Sequence, residues 1–83
     1  MQVFPNPSDG DFVVKFHLNK IAETKISLYN INGKKIEERS LNNLQIGENT
    51  FQRKIKNLDL GGTYILTIET PYEKATQKII IMP

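Results

Sequence analysis

An all-β domain, an immunoglobulin-like antiparallel β-sandwich of about seven strands, is the fold this sequence predicts, on three observations. Apolar residues recur with period two along most of the chain, the signature of strands with one buried face. Clusters of Gly, Pro, Asn, Asp and Ser interrupt these runs at intervals of roughly 8–12 residues. No stretch carries the apolar spacing of a helix, and residues 19–24 (NKIAET) are too few for one and are expected to be a connection.

The first element is the short run Gln2 to Phe4. Pro5, Asn6 and Pro7 follow; neither proline can donate to a sheet ladder, and each disfavours helix in the residue before it. Ser8, Asp9 and Gly10 add turn formers, so the stretch is expected to be a stiff connector between two strands. Phe12, Val14, Phe16 and Leu18 then alternate with Val13, Lys15 and His17, and the first set is expected to face a core. A third strand, Lys25 to Ile31, puts Ile26 and Leu28 on one face. Asn32-Gly33 is the strongest short hairpin signal, expected to form a type I′ turn with positive φ at both residues. Lys34 to Arg39 resumes an extended, charged segment, and Leu41 to Gly47 is too irregular to assign.

Glu48 to Ile55 alternates again, with Asn49, Phe51, Arg53 and Ile55 on one side. Gly61 and Gly62 lead into Thr63 to Thr70, rich in β-branched and aromatic residues, with Tyr64, Leu66 and Ile68 on one side. Tyr64 sits where immunoglobulin-like sandwiches often carry a corner tyrosine bonded to upstream backbone, and a plain core aromatic fits the same residue. Pro71 to Lys74 reads as a turn and Ala75 to Met82 as the last strand. Within it Gln77-Lys78-Ile79-Ile80-Ile81 breaks the alternation. Whichever face packs inward, at least one isoleucine points outward. An apolar residue exposed beside Lys78 suits recognition by another protein, and an edge strand could also offer its backbone for pairing. A strand covered on both faces is the other reading.

Bulk properties narrow the class. Eighty-three residues make one small domain, near the size where a single core only just suffices. The chain is 39% hydrophobic and 24% charged, too apolar for disorder. Its net charge of +2 comes from scattered lysines, so no concentrated footprint for nucleic acid is expected. Cysteine is absent, which removes disulfides and thiolate metal sites. No apolar run approaches the roughly 20 residues of a membrane helix, so no membrane span is expected. The start lacks the basic region and apolar stretch of a secretory signal. Either the chain is cytoplasmic or it is a piece cut from a longer parent whose targeting signal was left behind; the second is the expectation, with 1–83 folding as a single domain and as a monomer.

Residues that could carry chemistry are few. His17 lies opposite the apolar row of its strand, without an orienting carboxylate beside it in sequence. Ser8, Ser27 and Ser40 lack the strand-to-helix elbow of an activated serine. Asn6, Ser8, Asp9 and Asp11 surround Gly10 and resemble a calcium loop in composition, but an EF-hand register would put prolines at ligand positions and Phe16 at the bidentate glutamate. An Asx-type turn accounts for the same residues without an ion. Gly61-Gly62 lacks the Lys-Ser/Thr and helix of a phosphate loop. Lys34-Lys35 and Arg53-Lys54-Lys56 are interrupted by Glu37, Glu38 and Glu48, the pattern of a mixed solvated face. Tyr29 and Tyr72 are surface aromatics at most. No catalytic activity, cofactor or metal is expected.

Several of these segments occur together and in order: Val3 to Gly10 with its Pro5-Asn6-Pro7, Ile26 to Ile36 around Asn32-Gly33, Leu44 to Asn49, Leu58 to Tyr64 with Gly61-Gly62, and Gln77 to Ile81. Together they resemble the C-terminal sorting domain (type A) of type IX secretion cargo in the Bacteroidota, over nearly the whole chain. The resemblance implies a sandwich at the end of a larger secreted protein, with a cargo domain N-terminal to it. It implies transit through the periplasm, recognition by an outer-membrane translocon, a shuttle and a sortase-like peptidase, and a final location at the cell surface or in the medium. It also implies that the last segment, Lys78 to Ile81, is what the machinery recognises. The competing expectation is a fibronectin-like or immunoglobulin-like module that binds carbohydrate or spaces domains in an extracellular enzyme.

Overall fold

Period-two alternation becomes seven strands in a computed structural model that describes residues 1–54 and 62–82. They are β1 (Gln2–Phe4), β2 (Asp11–Leu18), β3 (Thr24–Asn30), β4 (Lys35–Leu41), β5 (Gly47–Lys54), β6 (Gly62–Glu69) and β7 (Lys74–Ile81). All strand pairings are antiparallel and form two sheets, one ordered β1-β2-β5 and the other β4-β3-β6-β7. The sandwich is therefore of the predicted class, with its fourth strand in the same sheet as β3, β6 and β7. In constant-type immunoglobulin domains the fourth strand joins the other sheet.

The core is built from the residues that alternation selects. Phe12, Val14, Phe16 and Leu18 of β2 face Ile26 and Leu28 of β3, Tyr64, Leu66 and Ile68 of β6, and Ile79 and Ile81 of β7, all buried. Burying a side chain of this size is worth about 1.5–3 kcal/mol, so these few residues supply most of the driving force. Tyr64 belongs to this core. Residues 55–61 of the upstream backbone, Gly61 among them, and with them the expectation of a corner bond, lie outside the described residues. Gly62 opens β6.

The β3–β4 turn differs from the expected type I′ form. Gly33 has φ +88°, but Asn32 is not among the positive-φ residues. Gly33 N–H donates to Asn30 O at 3.0 Å, and Asn30 N–H donates to Lys34 O at 2.9 Å. That closes a three-residue loop ending in a left-handed glycine. The cause is the Asn30 side chain, whose Oδ1 accepts from the N–H groups of Asn32 and Lys34, each at 2.9 Å. Those bonds start the turn one residue early. Further on, Leu28 pairs with Glu37 and Tyr29 with Lys35, which leaves Ile36 as a bulge. The extra residue turns Lys35 onto the same face as Glu38, and the two form an ion pair.

Arg53 departs from the solvated face expected of it. It takes an inward position on β5, its side chain only 16% exposed, and pairs with Glu37 of β4 in the opposite sheet. Arg39 lies 4.0 Å from the same carboxylate, with its guanidinium 6.0 Å from the Phe51 ring. Charge pairing thus fills the β4–β5 side of the sandwich where apolar side chains run out.

Two outcomes follow for stability. Gly33→Val should lower the unfolding free energy by about 1–3 kcal/mol, because a β-branched residue is strained at that φ; an unchanged urea midpoint would mean the loop rearranges at no cost. Glu37→Ala should cost about 1–3 kcal/mol by leaving Arg53 unpaired in a mostly buried site, between the values for exposed and fully buried pairs. Thermal melts of that variant beside Arg39→Ala, which should lose less than about 1 kcal/mol as a rim charge, separate the two arginines.

Candidate recognition surface

β7 begins as an ordinary edge strand, hydrogen-bonded to β6 through Gly62–Ile81, Tyr64–Ile79 and the pairs below them. Alternation along it settles which of the four candidate residues a partner can touch. Ile79 and Ile81 are buried in the core at 2% and 3% exposure, whereas Lys78 is exposed and Ile80 is 38% exposed. The outward isoleucine is therefore Ile80. Met82, just past the strand, is also exposed, at 58%. On the adjacent strand, Ile65 stands opposite Lys78 and Thr63 opposite Ile80.

The edge of β7 is not open at this end, which corrects the expectation that it could offer its backbone for pairing. The segment after β1 runs along it. Asn6 Nδ2–H donates to Lys78 O at 3.1 Å, and Asn6 Oδ1 accepts from Ile80 N–H at 2.9 Å. Ser8 N–H then donates to Ile80 O at 3.0 Å, and Met82 N–H donates to Ser8 O at 2.7 Å, a one-residue parallel bridge. An asparagine amide carries one donor side and one acceptor side, like a peptide group, so Asn6 replaces the strand that would otherwise lie here. The flanking Phe4–Pro5 and Asn6–Pro7 peptide bonds are both cis. Pro5 and Pro7 have no N–H to leave unpaired beside the sheet. The strap leaves Lys78 N–H and the Lys74 to Thr76 end of the edge without such bonds.

Hydrogen bonds also engage the oxygen cluster around Gly10. Asn6 is committed to β7, Ser8 Oγ accepts from Gly10 N–H at 3.3 Å, and Asp9 Oδ1 accepts from Asp11 N–H at 3.2 Å. Gly10 has φ +109°, a turn conformation that glycine adopts without strain. Among the described residues no three His, Cys, Asp or Glu side chains gather as a metal site. His17 is exposed and stands opposite Glu48 in the strand register.

The bond from Asn6 to β7 has no local signal that could reveal it, because its partners lie 72 and 74 residues away. Sequence reading found the Pro-Asn-Pro motif but not what the asparagine holds.

Charge around Lys78 is sparse. Among the described residues no carboxylate lies within ion-pair distance of it. Lys35, across the sheet, donates to Glu38; that hydrogen bond pushes the Lys35 pKa up and the Glu38 pKa down. The Glu38 contribution is accordingly present above the ordinary carboxylate range and fades as pH falls through its lowered value, whereas that of Lys35 fades as pH rises through its raised one.

A family model described as a secretion system C-terminal sorting domain matches residues 2–82. No curated protein matches the chain.

Asn6→Ala should lower the unfolding free energy by about 1–2 kcal/mol, the worth of two side-chain hydrogen bonds at a partly hydrated site. Asn6→Asp should lose more, since a carboxylate cannot donate to Lys78 O and repels it. Urea titrations in which both variants matched the parent would show that the Asn6 bonds do not hold the strap in solution.

Proposed function

The chain belongs to the family of secretion-system C-terminal sorting domains, and we propose that Lys78 and Ile80 on the outer side of β7 carry the contact by which the type IX machinery reads it. The domain is a C-terminal sorting signal for type IX secretion. It works with that machinery, is attached to a cargo protein, and serves export to the cell surface or release. A sorting-signal family is not a catalytic one.

The observation that carries the finer reading is the inside-out division of the last strand. Ile79 and Ile81 anchor it in the core, and this anchoring presents Lys78 and Ile80 to solvent at a fixed spacing and angle. A folded sandwich can thus display a signal that a disordered tail of the same composition could not hold in place. Passage of the monomeric domain through the periplasm, and its handling there by an outer-membrane translocon, a shuttle and a sortase-like peptidase, belong to the same reading. The resemblance of Pro5-Asn6-Pro7 and the Asn32-Gly33 segment to that family's motifs supports it. A carbohydrate-binding or spacer module has no support from the family match or from the described surface.

A fluorescent reporter bearing an export signal and residues 1–83 at its C-terminus should reach the medium or surface of a type IX-competent bacterium. Deletion of 78–83 should reduce that fraction at least tenfold, and so should loss of the translocon in the host. Equal release from a translocon-deficient host would overturn the assignment.

A further inference from the structure

The outer face of the β4-β3-β6-β7 sheet is where a partner would meet Lys78 and Ile80, and its composition identifies the chemistry of that partner. In a sandwich this face is expected to be polar, because the opposite face already lies on the core. Here a register row crosses all four strands as Lys35, Tyr29, Ile65 and Lys78. With strands about 4.8 Å apart, the row spans roughly 14 Å. Thr63 and Ile80 lie beside it in the next outward row, and Met82 follows Ile80 along the edge. Tyr29 and Ile65 therefore lie between the two lysines, and Ile80 adds apolar surface beside Lys78 on the edge strand. Lys35 keeps its ammonium 5.8 Å from the Tyr29 ring centroid.

We propose that this face, through Tyr29, Ile65 and Ile80, docks a protein segment that presents an apolar side chain flanked by carboxylates. An apolar centre with a charged rim is the anatomy of a protein interface, and a tyrosine in that centre is a frequent anchor. The sign of the rim selects the partner. Lys78 has no carboxylate in reach among the described residues, so an incoming acid meets an uncompensated cation there. At Lys35 the incoming acid competes with Glu38, so Lys78 is the stronger of the two. Docking is through side chains, since Asn6 and Ser8 already occupy Lys78 O, both backbone groups of Ile80 and Met82 N–H along the edge of β7. The inference rests on the secretion reading for its biological setting, but its chemistry is testable apart from it.

The test uses the full chain, alone and as the reporter fusion. Isotope-labelled chain is titrated with the peptide Asp-Phe-Asp-Leu-Asp and, separately, with Lys-Phe-Lys-Leu-Lys. The acidic peptide should shift the amides of Tyr29, Ile65, Lys78 and Ile80, and the basic one should not. Shifts confined to β4 or to Lys74–Thr76 would mean strand addition at an open edge and would overturn the proposal. In the reporter, Lys78→Glu and Ile80→Asp should each reduce export at least tenfold while Tm stays within a few degrees of the parent. Lys78→Arg should export normally, and so should Ile46→Asp, which alters an isoleucine that is 67% exposed in the loop between β4 and β5. Normal export of Lys78→Glu beside blocked export of Ile80→Asp would overturn the acidic partner. Normal export of both would overturn the face. Failure of the unsubstituted reporter to leave the cell would count against the secretion reading, leaving the peptide titration to decide the docking chemistry. A dimer by sedimentation that Ile80→Asp converts to monomer would make the occupant a second copy, against the proposal.

Discussion

Asn6 joins the first and last segments of the chain through a single amide. Its donor meets Lys78 O and its acceptor meets Ile80 N–H. Ser8 extends the contact to Ile80 O and Met82 N–H. Without these bonds β7 would be an edge strand along its whole length, with its outward backbone groups held only by water. Such an edge is a template for unplanned pairing with another chain. With them, the end of β7 that presents the candidate signal is fixed on both sides, by β6 and by the strap. The proline residues suit this position for the reason that excludes them from sheet interiors: they bring no donor that must be satisfied.

The opposite side of the sandwich is closed by different physics. Between β4 and β5 the two sheets approach through Glu37 and Arg53, with Arg39 and Phe51 beside them. The inward face of β4 carries Glu37 and Arg39 where β3 and β6 carry isoleucine and leucine. Inward-pointing charge on an edge strand discourages association through that edge. Both sides of this small, disulfide-less domain are thus closed by polar contacts, and the apolar core lies between them.

A signal built this way depends on the fold for its presentation. Lys78 and Ile80 are adjacent to two buried isoleucines, and only the pleat separates what the core takes from what a partner meets. The bulge at Ile36 has a parallel effect across the sheet, since it brings Lys35 onto the outward face next to Tyr29. Lysines on two edge strands therefore bracket an apolar centre that no single strand contains.

Period two in Phe12 to Leu18, Ile26 to Leu28 and Tyr64 to Ile68 was enough to give the strands, their buried faces and the sandwich class, because alternation is a property of neighbouring residues. The family motifs were legible for the same reason. The Asn32-Gly33 signal placed a hairpin correctly and its turn type wrongly, because the Asn30 side chain captured the N–H groups of Asn32 and Lys34. Arg53 looked solvated because its partner, Glu37, lies on another sheet. The isoleucine run guaranteed one exposed isoleucine, and burial of Ile79 and Ile81 against the core decided that it is Ile80. What the sequence by itself determined was periodic and local: strands, faces, turns and kinship. Tertiary structure alone decided the role of Asn6 and the composition of the outer face, because both join residues far apart in the chain that only the closed sandwich brings together.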